Sequence, residues 1–271
     1  MIDSGGGATI VLRSIADTTE IAPDVMMPRL GLGTWKAHGG VLEEAIVSAF
    51  KLGYRLLDTS PMYLNESVVS RAIVRSGLPR EDLFVTTKLD GPSQGLGSVQ
   101  RSLRRSLHRL RLDYVDLFLI HWPRRPLIKH TWRAMEDVQH AGLTRAIGVS
   151  NFEMRDLEVL LSGASVPPAV NQVRLNPLLQ RRDLQTYCAE RSITLEAWAP
   201  VMRGRATSIP LLAELARRHS KTAEQISLHW ILQKGIVAIP KTVHEQWLRE
   251  NADVFDFELT AEEMRAIDAL S

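Results

Sequence analysis

Two hydrophobic rhythms alternate along the chain. Short, nearly unbroken apolar runs cover about 29–33, 54–58, 83–88, 115–121, 143–149, 169–173, 193–198 and 236–240. Continuous apolarity over so few residues fits strands buried on both faces. Between the runs, apolar residues recur three and four apart near 41–52, 65–77, 98–110, 127–141, 153–162, 181–191 and 209–234. That spacing lines one face of a helix. The last stretch is long enough for two helices, and one more is expected after Thr242. In the first, Leu42, Ala45, Ile46, Ala49 and Phe50 form the stripe and Gly53 ends it.

Strands and helices joined by short connections predict a parallel sheet with right-handed crossovers. Eight such units close into a (β/α)8 TIM barrel, the expected α/β fold. The competing arrangement is an open, doubly wound sheet. It needs a G-x-G-x-x-G turn after its first strand, and Gly31-Leu-Gly-Thr-Trp-Lys36 does not supply one. Ahead of the alternation, Thr9–Leu12 and Val25–Met27 predict a β-hairpin outside the main pattern, turning at Asp17–Glu20. Residues 1–8 lack the charged-then-apolar order of a signal peptide and read as a frayed lead-in.

The length, 271 residues, suits one barrel, and no linker or low-complexity tract divides it, so a single domain over 1–271 is expected. With 33 basic and 31 acidic residues the net charge is +2, which predicts neither a nucleic-acid nor a membrane partner. No apolar run approaches the ~20 residues that span a bilayer. The single cysteine, Cys188, excludes an intrachain disulfide and a thiolate metal site, and fits a reducing, cytoplasmic location.

Chemistry concentrates where the apolar runs end. One ends on Asp58, the next on Lys88 and the next on His121, with Tyr63 five residues beyond Asp58. In a parallel sheet all C-terminal strand ends lie on one face, so these groups can converge. A tyrosine with a pKa near 10 exchanges protons poorly at neutral pH. A neighbouring ammonium stabilises its phenolate and is expected to lower that value. Asp58 would keep Lys88 charged, and His121 would orient a carbonyl oxygen. The plainer readings are a buried ion pair for Asp58 and Lys88, and a satisfied strand-end histidine. Further on, Ser150, Asn151 and Gln172 offer donors and acceptors for a planar amide, or Ser150 and Asn151 merely cap a helix. Trp198 could stack on an aromatic ring or sit at the edge of the core. Lys241, ahead of a helix, could take a phosphate.

These residues fall in blocks that resemble the aldo-keto reductase family. The blocks are Gly53–Thr59 with Tyr63 and Asn65-Glu66, Val85–Leu89, Asp113–Pro123, Gly148–Phe152, Asn171–Val173, Ile239–Lys241, and Glu250-Asn251 before Asp253–Leu259. The match runs from about Pro28 onward and is most similar to short bacterial members of the diketogluconate reductase type.

The resemblance implies a barrel binding NADPH, with NADH as the alternative. It implies a catalytic tetrad of Asp58, Tyr63, Lys88 and His121, with Tyr63 as proton donor. By the same likeness Ser150, Asn151 and Gln172 hold the nicotinamide carboxamide, and Trp198 stacks on its ring. Gly33 and Thr34 border the ribose, and Val201, Met202 and Gly204 the pyrophosphate. Lys241 and Thr242 meet the 2′-phosphate, Glu250 and Asn251 the adenine. Trp35 and Trp122 line a pocket for a small carbonyl substrate, in a monomer.

Departures from the family pattern are Trp247 in place of an arginine near the 2′-phosphate, Asp90 in place of a tryptophan, and Leu64 in place of a glycine. A chain ending at Ser271 lacks the long C-terminal loop of some members, so an open mouth for small or medium polar carbonyls is expected. Two other readings compete: a barrel lyase or aldolase using Lys88 as a Schiff-base amine, and a cofactor-binding regulatory subunit with little turnover.

Overall fold

A computed structural model describes residues 11–95 and 98–271, so the lead-in lies outside the described residues. Two antiparallel strands, β1 (Thr18–Ala22) and β2 (Val25–Pro28), come first. The predicted turn at Asp17–Glu20 is instead the start of β1. The chain reverses at Pro23-Asp24, where Asp24 takes a left-handed φ of 60° that an Asp side chain tolerates better than most. Nor does the hairpin stand apart. Ile21, Val25 and Met27 pack with Leu56, Phe84, Leu117 and Val237, which face the barrel interior, so the hairpin plugs one end.

The barrel strands are β3 (Gly31–Gly33), β4 (Leu56–Asp58), β5 (Phe84–Leu89), β6 (Val115–Ile120), β7 (Thr144–Ser150), β8 (Val170–Arg174), β9 (Thr194–Trp198) and β10 (Val237–Ile239). All eight are parallel in sequence order. A parallel bridge between Leu30 and Ala238, with Gly33 N donating to Pro240 O at 3.0 Å, closes β10 onto β3. Among the described residues the α-helices are α1 (Gly39–Lys51), α2 (Glu66–Ser76), α3 (Val99–Leu110), α4 (Ile128–His140), α5 (Met154–Leu161), α6 (Arg182–Ala189), α7 (Pro210–His219), α8 (Ala223–Gln233), α9 (Glu245–Ala252) and α10 (Ala261–Asp268). The 209–234 stretch is indeed two helices. Ser220 is left-handed at their junction, and Thr222 starts the second with a reciprocal cap to Gln225.

The helices' apolar stripes cover the outer face of the barrel in a core that includes Leu42, Ile46, Leu103, Trp132, Ile226 and Trp230. Among the described residues no helix is long and apolar enough to cross a membrane. One buried charge belongs to the fold. Asp116, in mid-β6, accepts from Arg80, Arg145 and the Val85 N–H. Arg145 also donates to Asp24 O, tying this cluster to the hairpin end. The opposite rim is left to hold other groups.

Candidate active site

At the C-terminal rim, neighbouring strand ends bring Asp58 and Lys88 together. Lys88 Nζ is fully buried and donates to both Asp58 oxygens, at 2.7 and 2.6 Å, and to the Thr59 carbonyl at 3.3 Å. Its fourth contact is Tyr63 OH at 3.1 Å. Burial pulls the Lys88 pKa down, but the charges and hydrogen bonds of Asp58 and Tyr63 more than offset it, and the ammonium titrates above the ordinary lysine range.

Tyr63 ends a single 3-10 turn, Pro61–Tyr63, that begins at Ser60, whose hydroxyl accepts from Met62 N–H. Leu64 follows with φ 55°, in the left-handed region that a glycine would take. The turn therefore keeps its shape without the glycine, at a cost of about 1–2 kcal/mol. The phenol's pKa moves opposite to the expected direction. Burial raises the Tyr63 pKa above 10, Asp58 and Glu196 add to the rise, and the opposing pull of Lys88 is too small to reverse it. Lys88 limits the rise instead of producing a fall.

His121 stands edge-on to Tyr63, ring centres 5.7 Å apart. Its Nδ1 lies 3.2 Å from the Ser60 hydroxyl. Burial and the nearby Lys88 charge depress its pKa to about 3, so the ring is neutral at physiological pH. Ser60 was not singled out from the sequence. A serine next to a strand end carries no signal of which imidazole it will meet.

The polar residues of the next strands form one connected set. Ser150 Oγ donates to Gln172 O at 2.9 Å. Asn151, left-handed at φ 61°, donates through Nδ2 to Ser150 Oγ and to His121 O. Its Oδ1 accepts from Trp198 Nε1 at 3.0 Å, which fixes the indole at the mouth. Neither Ser150 nor Asn151 caps α5; that helix is capped by Glu153 with Asp156. Gln172 Nε2 spends both hydrogens inward, on Asp58 at 2.8 Å and on Glu196 at 2.7 Å, leaving Oε1 as its free group. Glu196, buried in mid-β9, was also missed. A carboxyl inside the apolar run Ile193–Trp198 was the available signal.

Around the rim, Gly33 packs against the chain after β10, where an added Cβ would sit 3.1 Å from Ile239 O. The Thr34 hydroxyl is committed to Asp58 O at 2.9 Å. The loop after β9 carries left-handed φ values at Ala199, Met202, Arg203 and Gly204, with Val201 half-buried between them. Trp35 and Trp122 leave 41% and 53% of their surface exposed, as apolar walls open to a ligand.

Lys241 is exposed and has no acidic partner among the described residues, and partial burial lowers its pKa. The buried Thr242 hydroxyl accepts from His244 N–H ahead of α9. Trp247 is half exposed and meets the His244 ring edge-on at 4.5 Å. Arg249 is paired with Glu245, Glu250 accepts from Thr222, and Asn251 is buried. Of the residues on α9, Trp247 is therefore the one that presents a free flat face.

Comparisons with known proteins agree with this geometry. The model of the aldo/keto reductase family matches residues 29–271. The chain is 45% identical over 259 residues to glyoxal reductase of Bacillus subtilis (strain 168), spanning 95% of this chain and 94% of that one. It is 42% identical over 251 residues to 9,11-endoperoxide prostaglandin H2 reductase of Trypanosoma cruzi (strain CL Brener), spanning 91% and 89%. The crystal structure of an aldo/keto reductase from Brucella melitensis superposes with a TM-score of 0.91 at 38% identity, over 94% of this chain and 100% of that chain. An aldo-keto reductase crystallised with NADPH gives a TM-score of 0.88 at 35% identity, over 95% and 88%. This chain belongs to the aldo/keto reductase family, oxidoreductases that reduce aldehyde and ketone carbonyls with a nicotinamide cofactor.

Proposed function

We propose that the chain reduces small and medium polar aldehydes and ketones with NADPH, using Tyr63 as proton donor. One observation carries this reading: Lys88 Nζ lies 3.1 Å from Tyr63 OH with both Asp58 oxygens behind it. The donor set fits the cofactor. Gln172 Oε1 is free to accept from a carboxamide, Trp198 offers a fixed ring face, and Lys241 is an exposed cation with no acidic partner among the described residues. When bound, the cofactor supplies the hydride for the carbonyl carbon.

Tyr63 gives its proton to the carbonyl oxygen and is left as a phenolate beside the Lys88 ammonium. His121 is neutral. With the Ser60 hydroxyl donating to Nδ1, its Nε2 carries the proton that positions the same oxygen. The exposed Trp35 and Trp122 and the similarity to a glyoxal reductase support small substrates. The Schiff-base reading is weaker, because an amine nucleophile must shed its proton and Asp58 holds the proton on Lys88. The lone buried Cys188 suits the cytoplasm.

Two outcomes follow. Lys241→Met is expected to weaken NADPH binding by roughly ten- to a hundredfold, as loss of a charge-assisted phosphate contact would, and to leave NADH binding nearly unchanged. Fluorescence titrations with both cofactors, followed by an aldehyde, ketone and ketose panel, check this. Equal losses for the two would remove the 2′-phosphate from the reading.

The second concerns pH. His121 has a folded pKa of about 3, below its ordinary value, so the folded ring stays neutral until pH nears 3, while the stability that goes with it is full above about pH 6.5 and is lost progressively from there down to about 3. Reduction should therefore show no histidine inflection between about pH 5 and 7. An inflection near 6.5 that His121→Gln removes would contradict a neutral ring.

A further inference from the structure

Glu196 has no part in the mechanism above, yet it joins the same chain of hydrogen bonds. It is wholly buried, flanked by Gln172 on β8 and by apolar Val237 on β10. Its Oε2 accepts from Gln172 Nε2 at 2.7 Å, and that nitrogen also donates to Asp58 at 2.8 Å. Among the described residues its Oε1 has no hydrogen-bond partner. An unbroken path thus runs from Glu196 through Gln172, Asp58 and Lys88 to Tyr63. The charged groups that face Glu196 are Asp58 and Lys88. One ammonium balances one carboxylate, so a second buried carboxylate is costly unless it carries a proton. Burial first, and then the Asp58 charge, push the Glu196 carboxyl up to about 8.

We propose that Glu196 is a positioning residue for carbonyl reduction: as a neutral acid it holds the Gln172 amide inward and keeps a second negative charge away from the phenolate that Tyr63 becomes. This rests on the reading of Tyr63 as proton donor. When Tyr63 gives up its proton, the phenolate faces the Lys88 ammonium, and solvent later restores the proton. An ionised Glu196 opposes that phenolate and makes Tyr63 a weaker donor. Across a path of this length, with an effective dielectric constant of about 20, the repulsion is on the order of a tenfold loss of rate.

The test is the pH profile of kcat/KM for aldehyde reduction in wild type and Glu196→Gln, with thermal melts across the same range. Wild type should step down near pH 8 by on the order of tenfold, and Glu196→Gln should lack the step until Tyr63 itself ionises. A raised carboxyl adds stability below the ordinary carboxylate range and loses it as pH rises through about 8. Wild type should therefore lose melting temperature relative to Glu196→Gln over that interval. Superimposable profiles, with only a uniform drop in melting temperature, would leave Glu196 a packing residue and overturn the proposal. If Glu196→Gln does not fold, infrared titration of wild type decides: a protonated buried carboxyl at pH 7 that ionises near 8 supports it, and its absence overturns it. Full activity in Tyr63→Phe would instead sink the underlying reading, whatever Glu196 does.

Discussion

Tyr63→Phe is expected to lower kcat for aldehyde reduction by about a thousandfold while leaving the Kd for NADPH within about twofold. The change removes one oxygen atom, and the buried group bonded to it, Lys88, has other partners. Lys88 keeps both Asp58 oxygens and the Thr59 carbonyl, so the buried charge stays paired. The ring keeps its edge contact with His121. What disappears is the hydroxyl bonded to Lys88, and with it the proton for the carbonyl oxygen. Steady-state kinetics beside a cofactor titration separate the two effects. Parent-like rates would remove Tyr63 from the chemistry, and a matching loss of NADPH affinity would make it a binding residue instead.

Asp58→Asn should cost stability as well as activity, because it damages fold and chemistry together. Lys88 is fully buried, and without the carboxylate its charge has only carbonyl, amide and phenol oxygens around it. Breaking a buried pair from one side typically costs about 3–5 kcal/mol. At about 2–4 °C per kcal/mol for a large domain, the melting temperature should fall by roughly 10 °C. Either Lys88 then loses its proton or it leaves its place, and in both cases Tyr63 loses the charge that stabilises its phenolate. Activity should fall by at least about a hundredfold at a temperature where the variant is still folded. A variant as stable as the parent would mean that the pair is better solvated than its burial indicates.

The barrel was legible because both faces of each strand are buried, which turns the strands into continuous apolar runs that contrast with the helices. The strand ends were legible for the same reason: Asp58, Lys88 and His121 are polar residues closing apolar runs. Partnership was harder to read. Gln172 meets Asp58 across 114 residues and turns its amide nitrogen inward, a choice made by Glu196 and by the closure of the barrel. The sign of the Tyr63 shift was misjudged because a neighbouring ammonium can be guessed from residue order, whereas the extent of burial, here the larger effect, cannot. The hairpin turn was misplaced because Ile21-Ala22 is too short an apolar run to mark β1, although Pro23-Asp24 carried the turn signal. Trp247, expected from the family resemblance to replace an arginine, presents an exposed face beside His244 on α9.

The whole account depends on residue 88 staying cationic next to the phenol. The direct test is a pH titration of the Lys88 Nζ resonance in protein labelled with 15N-lysine, assigned by its loss in Lys88→Met. The structure predicts a signal that stays protonated beyond about pH 10.4, where an ordinary lysine is half titrated. A signal that loses its proton at or below that value, or a lysine that borohydride traps as an adduct with a carbonyl substrate, would contradict it.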